Sequence, residues 1–476
     1  MAQHDYVIDN QSFPATRTDI NNVLQAIASN NSGASAPSTT YANQFWYETD
    51  TNKLYIRNED NDAWIEVAVL DQANDIVSSI TSETLVANIV NERTSGSGVT
   101  VDGLLIKDKE IGTTAAPATL QATSLNGGQF SRRNVVTNGA VQVAQRSTSV
   151  TGIGASAGYF TVDRFNLNIA NTAGRLTMTQ TADAPSGFAN CIKLDCTTAD
   201  TSIAANELMI LEQRFEGQDL QRFAKGTSDA KEYTVSFYVK GNASATYVVE
   251  LFDVDNTRQV SKSFSVTTSW ARVQLTFPAD TTGAFDDDAN QSLNMHIWLH
   301  AGSDFTSGTL SQTWTSNTNA NRAVGVSSFF SSTDNTFFIT GVQLEVGSVA
   351  TEFEHRSFGE ELASCQRYYQ KSYPQGTSAG TAVSDNSKIQ FSFGTEGSGI
   401  VGYNASLPVV MRANPTTTVY DGDGNSGKVD ILSSGAGVTH NQATNSVTGR
   451  AEFINVRIFG KTCAGMAFHY EADAEL

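Results

Sequence analysis

The stretch KEYTVSFYVK, residues 231–240, decides the fold class of this sequence. Val235, Phe237 and Val239 alternate with more polar side chains. A period of two residues is that of a β-strand with one face on a core and the other turned outward. Gly241 and Asn242 follow as turn residues, and a second alternating stretch begins at Thr246. The pattern therefore predicts antiparallel strands joined by tight turns.

The same alternation recurs along the middle of the chain. It is found at residues 246–254, 261–266, 271–277, 293–299 and 336–345. Short alternating runs separated by turn residues are typical of a β-sandwich. We therefore predict one large jelly-roll β-sandwich over residues 130–356.

The N-terminal part has different patterns. In residues 14–29, Pro14 lies in the first turn, and the apolar residues recur at helical spacing: Ile20, Val23, Leu24, Ile27 and Ala28. Three aromatic and apolar runs follow at 45–47, 54–57 and 64–67, separated by turns rich in Asp and Asn. Residues 1–69 are thus predicted to form a short helix and a small meander.

Residues 70–129 are poor in aromatic side chains, and the segment has no core of its own. Such a segment is either a flexible linker or a shaft in which several copies of the chain wind together. The β-formers Val99, Val101, Leu104 and Ile106 favour the intertwined shaft.

Beyond the predicted sandwich, Phe358, Leu362, Cys365 and Tyr369 recur at intervals of four, three and four residues. This spacing predicts a helix over 357–372 that packs against copies of itself along a trimer seam. Further strand patterns at 388–393, 416–420 and 452–458 predict a C-terminal β tip domain over 373–476. The fold class is therefore all-β dominated, in an elongated fibre.

The composition excludes several classes of protein. The 476 residues carry 30 Lys and Arg against 49 Asp and Glu, a net charge of −19 that disfavours binding to nucleic acids and to anionic membranes. We find neither a stretch of roughly 18 apolar residues nor an export signal, and we expect no membrane insertion. The four cysteines, Cys191, Cys196, Cys365 and Cys463, are expected to be reduced core residues.

The sequence contains matches to motifs for catalysis and metal binding, but these matches lack the secondary structure or the spacing that the motifs require. Two G-x-S-x-G matches, at 154–158 and 376–380, lack the helix that a nucleophile elbow requires. His296 and His300 lie four apart in a strand pattern, roughly 13 Å along the strand, too far for one zinc ion. We expect no catalytic residue, no metal and no cofactor.

Several stretches resemble one family of proteins. MAQHDYVIDNQSFPATRTDINNVLQAIASNNSG, followed by FWYETDTNKLYIRNEDNDAWIEV, resembles the virion-attachment end of bacteriophage tail fibre proteins. NERTSGSGVTVDGLLIKDKEI is similar to the shaft of such fibres, and LPVVMRANPTTTVYDGDGNSGKV to a fibre tip. NVVTNGAVQVAQRSTSV, YFTVDRF and FFITGVQLEVGSVATEFEHRSFGEELASCQRYYQKSY resemble their jelly-roll module, which is similar to carbohydrate-binding modules.

The resemblance implies a homotrimeric structural protein of the virion, made in the host cytoplasm. Its N-terminal region would attach to adaptor or nozzle proteins of the phage tail, and its distal β domains would adsorb to a host-surface polysaccharide or lipopolysaccharide. Two alternatives stay open: a tail-borne polysaccharide depolymerase that uses a carboxylate pair, and a fibre that decorates the capsid.

Sugar recognition requires aromatic rings that stack on a pyranose, beside polar groups that meet its hydroxyls. Tyr373, Tyr403 and Tyr420 lie near loops rich in Asp, Asn and Ser and are the predicted carbohydrate-binding residues. Trp270 and Trp298 lie in strand patterns and are expected in the core.

Overall fold

The computed structural model describes residues 3–81, 112–113, 116–117, 132–383, 388–433 and 437–476, with only the backbone given for 112–113, 116–117, 393–398 and 437. The chain divides into two compact units, Met1–Thr119 and Leu120–Leu476. Most of the predicted shaft, including Val99, Val101, Leu104 and Ile106, lies outside the described residues.

The first unit contains the predicted helix and meander. Its elements are α1 (Phe13–Ala28), β1 (Phe45–Glu48), β2 (Lys53–Arg57), β3 (Trp64–Asp71), β4 (Ile76–Ile80), β5 (Gly112–Thr113) and β6 (Ala116–Pro117). Strands β1 to β4 form one antiparallel sheet in chain order, and β5 pairs with β6. The helix and three strands are confirmed. The shaft prediction is wrong for residues 70–81, because β4 extends the meander by pairing with β3.

Aromatic side chains hold this small sheet together, while α1 leaves apolar side chains uncovered. Trp46 stacks on Tyr55 with ring centroids 5.0 Å apart and contacts Trp64 at 5.4 Å. Phe13 is 80% exposed and Leu24 is 57% exposed, although both belong to a helix. The apolar side of α1 is therefore open within this unit.

The second unit begins with a β-sandwich. Its strands are β7 (Ser149–Ile153), β8 (Asn166–Ala170), β9 (Arg175–Thr181), β10 (Cys191–Thr198), β11 (Leu208–Glu216), β12 (Tyr233–Gly241), β13 (Ala245–Asp253), β14 (Arg258–Val266), β15 (Ala271–Phe277), β16 (Gln291–Ala301), β17 (Thr315–Ser316) and β18 (Thr336–Val346), with the short helix α2 (Ser303–Thr306) between β16 and β17. The all-β sandwich and its six predicted strands are confirmed.

The twelve strands form two six-stranded antiparallel sheets. The first sheet has the order β15-β12-β18-β10-β9-β7, and the second sheet has the order β17-β14-β13-β16-β11-β8. One side of each sheet faces a shared core, to which Val235, Phe237 and Val239 contribute from β12 and Ile297 and Leu299 from β16. Because side chains alternate along a strand, their sequence neighbours point to the outer faces of the sandwich.

The residues after the sandwich form α3 (Phe358–Gln366) and a second sheet system. Its strands are β19 (Tyr369–Lys371), β20 (Ile389–Ser406), β21 (Thr416–Tyr420), β22 (Lys428–Ser433), β23 (Gly437–Ala443), β24 (Ser446–Gly449) and β25 (Phe453–Asp473). Long β25 pairs with β19, β20, β21, β22 and β24 and carries the centre of a second core. This C-terminal sheet belongs to the same compact unit as the sandwich.

Ion pairs join the C-terminal sheet to the sandwich. Arg146 lies 2.8 Å from Asp473, and Arg164, itself buried, pairs with Glu475. Arg146 also lies over the ring of Tyr369, 3.8 Å from its centroid. Each of these contacts connects segments more than 200 residues apart, so the C-terminal strands stabilise the sandwich that precedes them.

All four cysteines are buried and free of disulfides, as predicted. None of the helices in the described ranges combines the length and the apolar character that a bilayer crossing requires.

Candidate functional site

The outer face of the first sheet carries aromatic and charged side chains in one row. Lys240 on β12 lies opposite Phe338 on β18, and Phe338 lies opposite Lys193 on β10. Trp270 directly precedes β15 and contacts Phe338 with ring centroids 6.2 Å apart. Because core side chains occupy the alternate positions, this row points outward. We call the surface formed by Lys193, Tyr238, Lys240, Trp270 and Phe338 the open face.

Lysines and aromatic rings stabilise one another on the open face. The ammonium of Lys240 lies 4.6 Å from the ring centroid of Phe338 and 5.3 Å from that of Trp270. Lys193 pairs with Asp195 at 2.7 Å, and about a third of each of these two side chains is exposed. Cation–π contacts of this kind hold the lysine stems flat against the rings. The result is a platform on which Trp270 and the two lysines are partly exposed, whereas Phe338 is buried.

An aromatic cluster continues the platform along β18. The ring of Phe188 lies 5.3 Å from that of Tyr238, 5.1 Å from that of Phe353 and 5.2 Å from that of His355. Phe188 covers Gly341, whose φ is +62° and where an added Cβ would come 2.6 Å from the Phe188 ring. A residue with a side chain would therefore displace the ring and strain the backbone.

A polar pocket opens where the platform ends. It has a volume of about 200 Å³ and is lined by the following residues: Asn242, Ala243, Ser244, Ala245, Tyr247, Val266, Ser327, Ser328, Ser331, Asn335 and Thr336. Asn242 lies two residues after Lys240, and Thr336 lies two residues before Phe338. The pocket is smaller than the roughly 300–1,000 Å³ of drug-sized sites. It therefore suits one small hydroxylated group, such as a single sugar ring.

Pocket and platform lie along one strand. From Thr336 to Glu345, β18 covers roughly 30 Å at the usual strand rise, with the polar pocket at one end and the aromatic cluster towards the other. Aromatic faces next to hydroxyl and amide groups can stack on the apolar side of a pyranose and hydrogen-bond its hydroxyls. This surface can thus hold several units of an extended, hydroxyl-rich chain.

The three tyrosines predicted to bind sugar lie on the C-terminal sheet. Tyr373 is buried, stacks on His469 at 3.9 Å and meets the edge of Tyr420 at 6.1 Å. Tyr403 stacks instead on Phe391 at 4.7 Å. The structure thus brings Tyr373 and Tyr420 together and gives Tyr403 a different aromatic partner.

The surroundings of these tyrosines show what their hydroxyls do. Burial raises the pKa of Tyr373 to about 12. The hydroxyl of Tyr420 donates to Glu471, which also accepts a hydrogen bond from Tyr369 at 3.0 Å. Tyr373 is only 2% exposed, so it cannot offer a ring face to a sugar without a rearrangement. Tyr403 and Tyr420 are partly exposed.

The residues of the predicted trimer seam do not share one helix. Ser357 caps α3 in a reciprocal contact with Glu360, and the helix ends at Gln366, not at 372. The prediction is wrong for Tyr369, which lies on β19 and pairs with Asp473. The four-three-four spacing was misleading at this position, because an apolar residue that is buried in a strand fits the same spacing. Phe358 is 50% exposed and Leu362 partly exposed, whereas Cys365 and Tyr369 are buried within their own chain.

The outer face of the second sheet differs from the open face because other parts of the chain cover it. Glu250 on β13 accepts hydrogen bonds from His296 and Trp298, each at 2.8 Å, and from Arg322 at 2.8 and 2.9 Å. Glu212 lies 3.0 Å from the other ring nitrogen of His296. We call this group of five side chains the covered face.

Charges on the covered face compensate one another. Burial disfavours the charge of Glu250, but Arg322 and His296 outweigh it and hold the pKa of this carboxyl at about 2. Burial likewise disfavours the imidazolium of His296, yet Glu212 and Glu250 raise its pKa above the usual value. His300, which the sequence places near His296, has Glu207 and Ser328 as its own partners. The two histidines thus hold separate contacts.

The strand patterns in the sequence did not distinguish a buried tryptophan, Trp298, from a partly exposed one, Trp270. Trp298 is fully buried, but on the covered face, where it packs against Phe305 at 5.2 Å and not in the main core. Trp270 is partly exposed on the open face, so its assignment to the core is wrong. Its position just before β15, directly after the polar residues 267–269, was the available signal. In the described ranges, no group of three or more His, Cys, Asp or Glu side chains could hold a metal ion.

No protein-family model matches this sequence, and no curated protein matches it. Solved structures similar to part of the chain include a family 4 carbohydrate-binding module, at 11% identity and TM-score 0.24, covering 44% of this chain and 99% of the module. The xylan-binding CBM22-1 domain of Paenibacillus barcinonensis Xyn10C is 11% identical with TM-score 0.24, covering 48% of this chain and all of that domain. The enzymatically active domain of bacteriophage CBA120 tailspike protein 4 is 11% identical with TM-score 0.23, and the match spans 45% of this chain and 21% of that chain. The function proposed below therefore rests on the residues of this chain.

Proposed function

We propose that this protein is a tail fibre subunit of a tailed bacteriophage that binds a polysaccharide or lipopolysaccharide of the host surface without cleaving it. The observation that carries the binding function is the open face with its polar pocket and aromatic cluster. The partly exposed rings of Trp270, Tyr238 and Phe188 lie beside the same strand as the lysine donors and the hydroxyl-lined pocket. An extended glycan chain requires such a combination of rings and polar groups.

Two further features support a fibre role. The N-terminal stretch and the segment after it resemble the attachment end and the shaft of tail fibres. In α1, Phe13, Leu24 and Ile27 are each more than half exposed, which is unusual for large apolar side chains of one helix. A homotrimer in which copies of the chain cover these side chains would remove that exposed apolar surface.

Binding is tested with purified capsular polysaccharides and lipopolysaccharides immobilised for interferometry. Trp270→Ala removes a ring of the open face and is expected to weaken binding by about tenfold or more, or at least 1.4 kcal/mol. The matched control is Tyr420→Ala, in the C-terminal sheet, for which we expect less than about a twofold change. The reverse ranking would move the sugar site to the predicted tyrosines and refute the open-face assignment.

The same samples separate binding from catalysis. The appearance of new reducing ends during incubation with the bound polysaccharide would favour the depolymerase alternative. Unchanged polymer length together with retained binding supports a protein that only adsorbs.

The fibre role has its own test. Immunogold labelling of virions is expected to mark the tail, and labelling of the capsid would favour a capsid-decorating fibre.

Light scattering at micromolar concentration is expected to give a mass near three times 51.0 kDa, the mass of a homotrimer. Deletion of residues 1–67 is expected to abolish incorporation into virions, and a truncated protein that still assembled onto tails would exclude the N-terminal anchor.

A further inference from the structure

A buried lysine lies where three separate parts of the sandwich meet. Lys225 belongs to the connection between β11 and β12, Asp253 ends β13, and Asp280 lies just after β15. The Lys225 ammonium lies 2.5 Å from a carboxylate oxygen of Asp253 and 3.1 Å from one of Asp280. The side chains of Lys225 and Asp253 are completely buried. We call these three residues the Lys225 site.

Aromatic rings and backbone carbonyls enclose the amine of Lys225. It lies 5.2 Å from the ring centroid of Phe285 and 5.2 Å from that of Trp314, and both rings are buried. It also donates hydrogen bonds to the carbonyls of Thr282 and Gly283, at 2.9 and 2.6 Å. A lysine amine that is shielded from water in this way can act as a nucleophile. Its position fixes it against the carboxyl group of Asp253.

The two carboxyl groups of the Lys225 site have different environments. Burial raises the pKa of Asp253, although the hydrogen bond from Lys225 opposes the shift. Burial also disfavours the charge of Asp280, but Arg258 donates to both of its oxygens, at 2.8 and 3.1 Å, and the pKa of Asp280 lies below its usual value. One carboxyl group therefore favours its neutral form, and the other stays a carboxylate that can accept and return a proton.

Asn256 binds the oxygen of Asp253 that faces away from the amine. Its backbone N–H donates to Oδ1 of Asp253 at 3.0 Å, and its side-chain amide donates to the same oxygen at 3.2 Å. Two donors on one oxygen stabilise the negative charge that develops there when a nucleophile adds to the carboxyl carbon. Lys225 instead contacts Oδ2. The site thus distinguishes an oxygen that would stay from an oxygen that would leave.

An amide would suit this position better than two charges. A buried ion pair loses the solvation of both ions, and their attraction offsets that loss only in part. Condensation of Lys225 with Asp253 would remove both charges and keep the two side chains where they are. Asp280 would retain Arg258 as its charged partner.

We infer that Lys225 and Asp253 form an intramolecular amide bond between their side chains, with Asp280 as the proton carrier. A proton passes from the ammonium to Oδ2 of Asp253, and the neutral amine then adds to the carboxyl carbon, so that the C–N bond forms. Asp280 accepts a proton from the nitrogen and gives it to Oδ2, the C–Oδ2 bond breaks, and one water molecule leaves. Asp280 ends unchanged, and the fixed contact replaces an activating reagent.

The bond would connect the two layers of the sandwich. The connection that contains Lys225 leads into β12 of the first sheet, whereas β13, which ends at Asp253, belongs to the second sheet. A cross-link between distant positions stabilises a fold by restricting the unfolded chain. The sandwich that carries the open face would therefore resist separation of its sheets, whether or not a glycan is bound.

Mass spectrometry of the purified full-length protein tests the bond directly. We expect a mass about 18 Da, one water molecule, below that of the unmodified sequence. Trypsin should not cleave after Lys225, because its side chain would be an amide, and should release residues 223–231 joined to residues 241–258. Fragmentation of this joined pair should place the link between Lys225 and Asp253.

Two variants test the roles of the residues. Lys225→Met removes the nucleophile and should have the full mass of its sequence. Asp280→Asn leaves Lys225 and Asp253 in place but removes the proton acceptor, and we expect the linked share of the protein to fall below about one tenth. Melting curves show whether each variant is folded.

The chain also contains an internal control. Lys388 lies 2.7 Å from the buried carboxylate of Asp430, whose other oxygen contacts His440 at 2.7 Å. The side chain of His440 is 41% exposed, so water reaches this pair. Trypsin should therefore cleave after Lys388 in the same digest in which it fails to cleave after Lys225.

The contrary results are distinct. The full sequence mass for the unchanged protein would overturn the inference, and this measurement does not depend on whether any variant folds. A loss of about 18 Da that persists in Lys225→Met, or that fragmentation places at another residue, would overturn it as well. A completely linked Asp280→Asn protein would show that Asp280 is not the proton carrier.

Discussion

The two outer faces of the sandwich are built from the same kind of strand, but one is covered by another segment of the chain and the other is in contact with solvent. On the covered face, Glu250 and Trp298 are completely buried beneath the segment that contains Phe305 and Arg322. On the open face, Trp270 and Lys193 keep contact with solvent. The comparison teaches that aromatic and charged residues on a sheet face do not by themselves mark a binding surface. What decides is whether another segment of the chain occupies that face.

The hydrogen bonds within the covered face explain why this face cannot be the glycan site in this state. Its carboxylates and its histidine already use their hydrogen-bonding capacity on one another and on Arg322. Opening it would expose a network of charges that stabilise one another only in contact. The open face has no such network to break, because its ion pairs lie at the surface and contribute about 0–1 kcal/mol each.

The largest expected difference between the faces is in stability. Trp298→Ala should lower the free energy of unfolding by about 3–5 kcal/mol, because it removes a fully buried ring from a small apolar cluster. Trp270→Ala should cost less than about 1.5 kcal/mol, because its ring is partly exposed. Urea denaturation followed by circular dichroism measures both. Equal losses would mean that the open face is also a structural core.

Removal of a single charge should give the next largest effect. Arg322→Gln leaves the buried Glu250 with His296 as its remaining charged partner, and we expect a loss of about 3 kcal/mol. The matched change on the open face is Lys193→Gln, which breaks the exposed pair with Asp195 and should cost less than about 1 kcal/mol. A near-neutral Arg322→Gln would show that the network is dispensable.

The covered face should also control stability in acid. The pKa of Glu250 is held at about 2, below its ordinary value of 4.5. A depressed carboxyl pKa stabilises the folded state above pH 4.5, and this stabilisation, about 3 kcal/mol, is lost as the pH falls towards 2. Urea midpoints measured between pH 6 and pH 2.5 should therefore fall for the unchanged protein. The corresponding fall should be smaller for Glu250→Gln; an identical slope would assign the acid sensitivity to other groups.

The smallest expected effect on stability concerns the shape of the open face. Gly341→Ala places a methyl group against Phe188 at a backbone position with positive φ, and we expect a loss of about 1–2 kcal/mol. Displacement of Phe188 should also weaken glycan binding, because the aromatic cluster would lose the ring that contacts Tyr238, Phe353 and His355. The control Gly325→Ala has positive φ but open space around it. If both variants bind alike, the position of Phe188 does not matter for recognition.

Much of the fold was predictable from local pattern. Alternation in residues 231–240 and 336–345 predicted β12 and β18, and Pro14 with its apolar neighbours predicted α1, because both periods are properties of a single segment. The same reasoning failed at Tyr369. Its apolar character fits a helix or a strand, and only pairing with Asp473, 104 residues away, selects the strand.

The candidate site was less accessible to sequence reasoning. Tyr373 and Tyr420 were predicted to bind sugar, but Tyr373 is buried against His469, which lies 96 residues further along the chain. The open face combines Lys193, Trp270 and Phe338, which are about seventy residues apart from one to the next and share no motif. No local periodicity in the sequence predicts that residues so far apart along the chain come together.

The sequence by itself determined that the chain is all-β in its larger part and which side chains of each strand face the core, because alternation follows from backbone geometry. It also determined that all four cysteines and most of the apolar strand residues would be buried. Only the tertiary structure decided which outer face stays open. That choice depends on where the segment around Phe305 and Arg322 packs, and packing between distant segments is governed by shape and charge complementarity, which no single stretch of sequence contains.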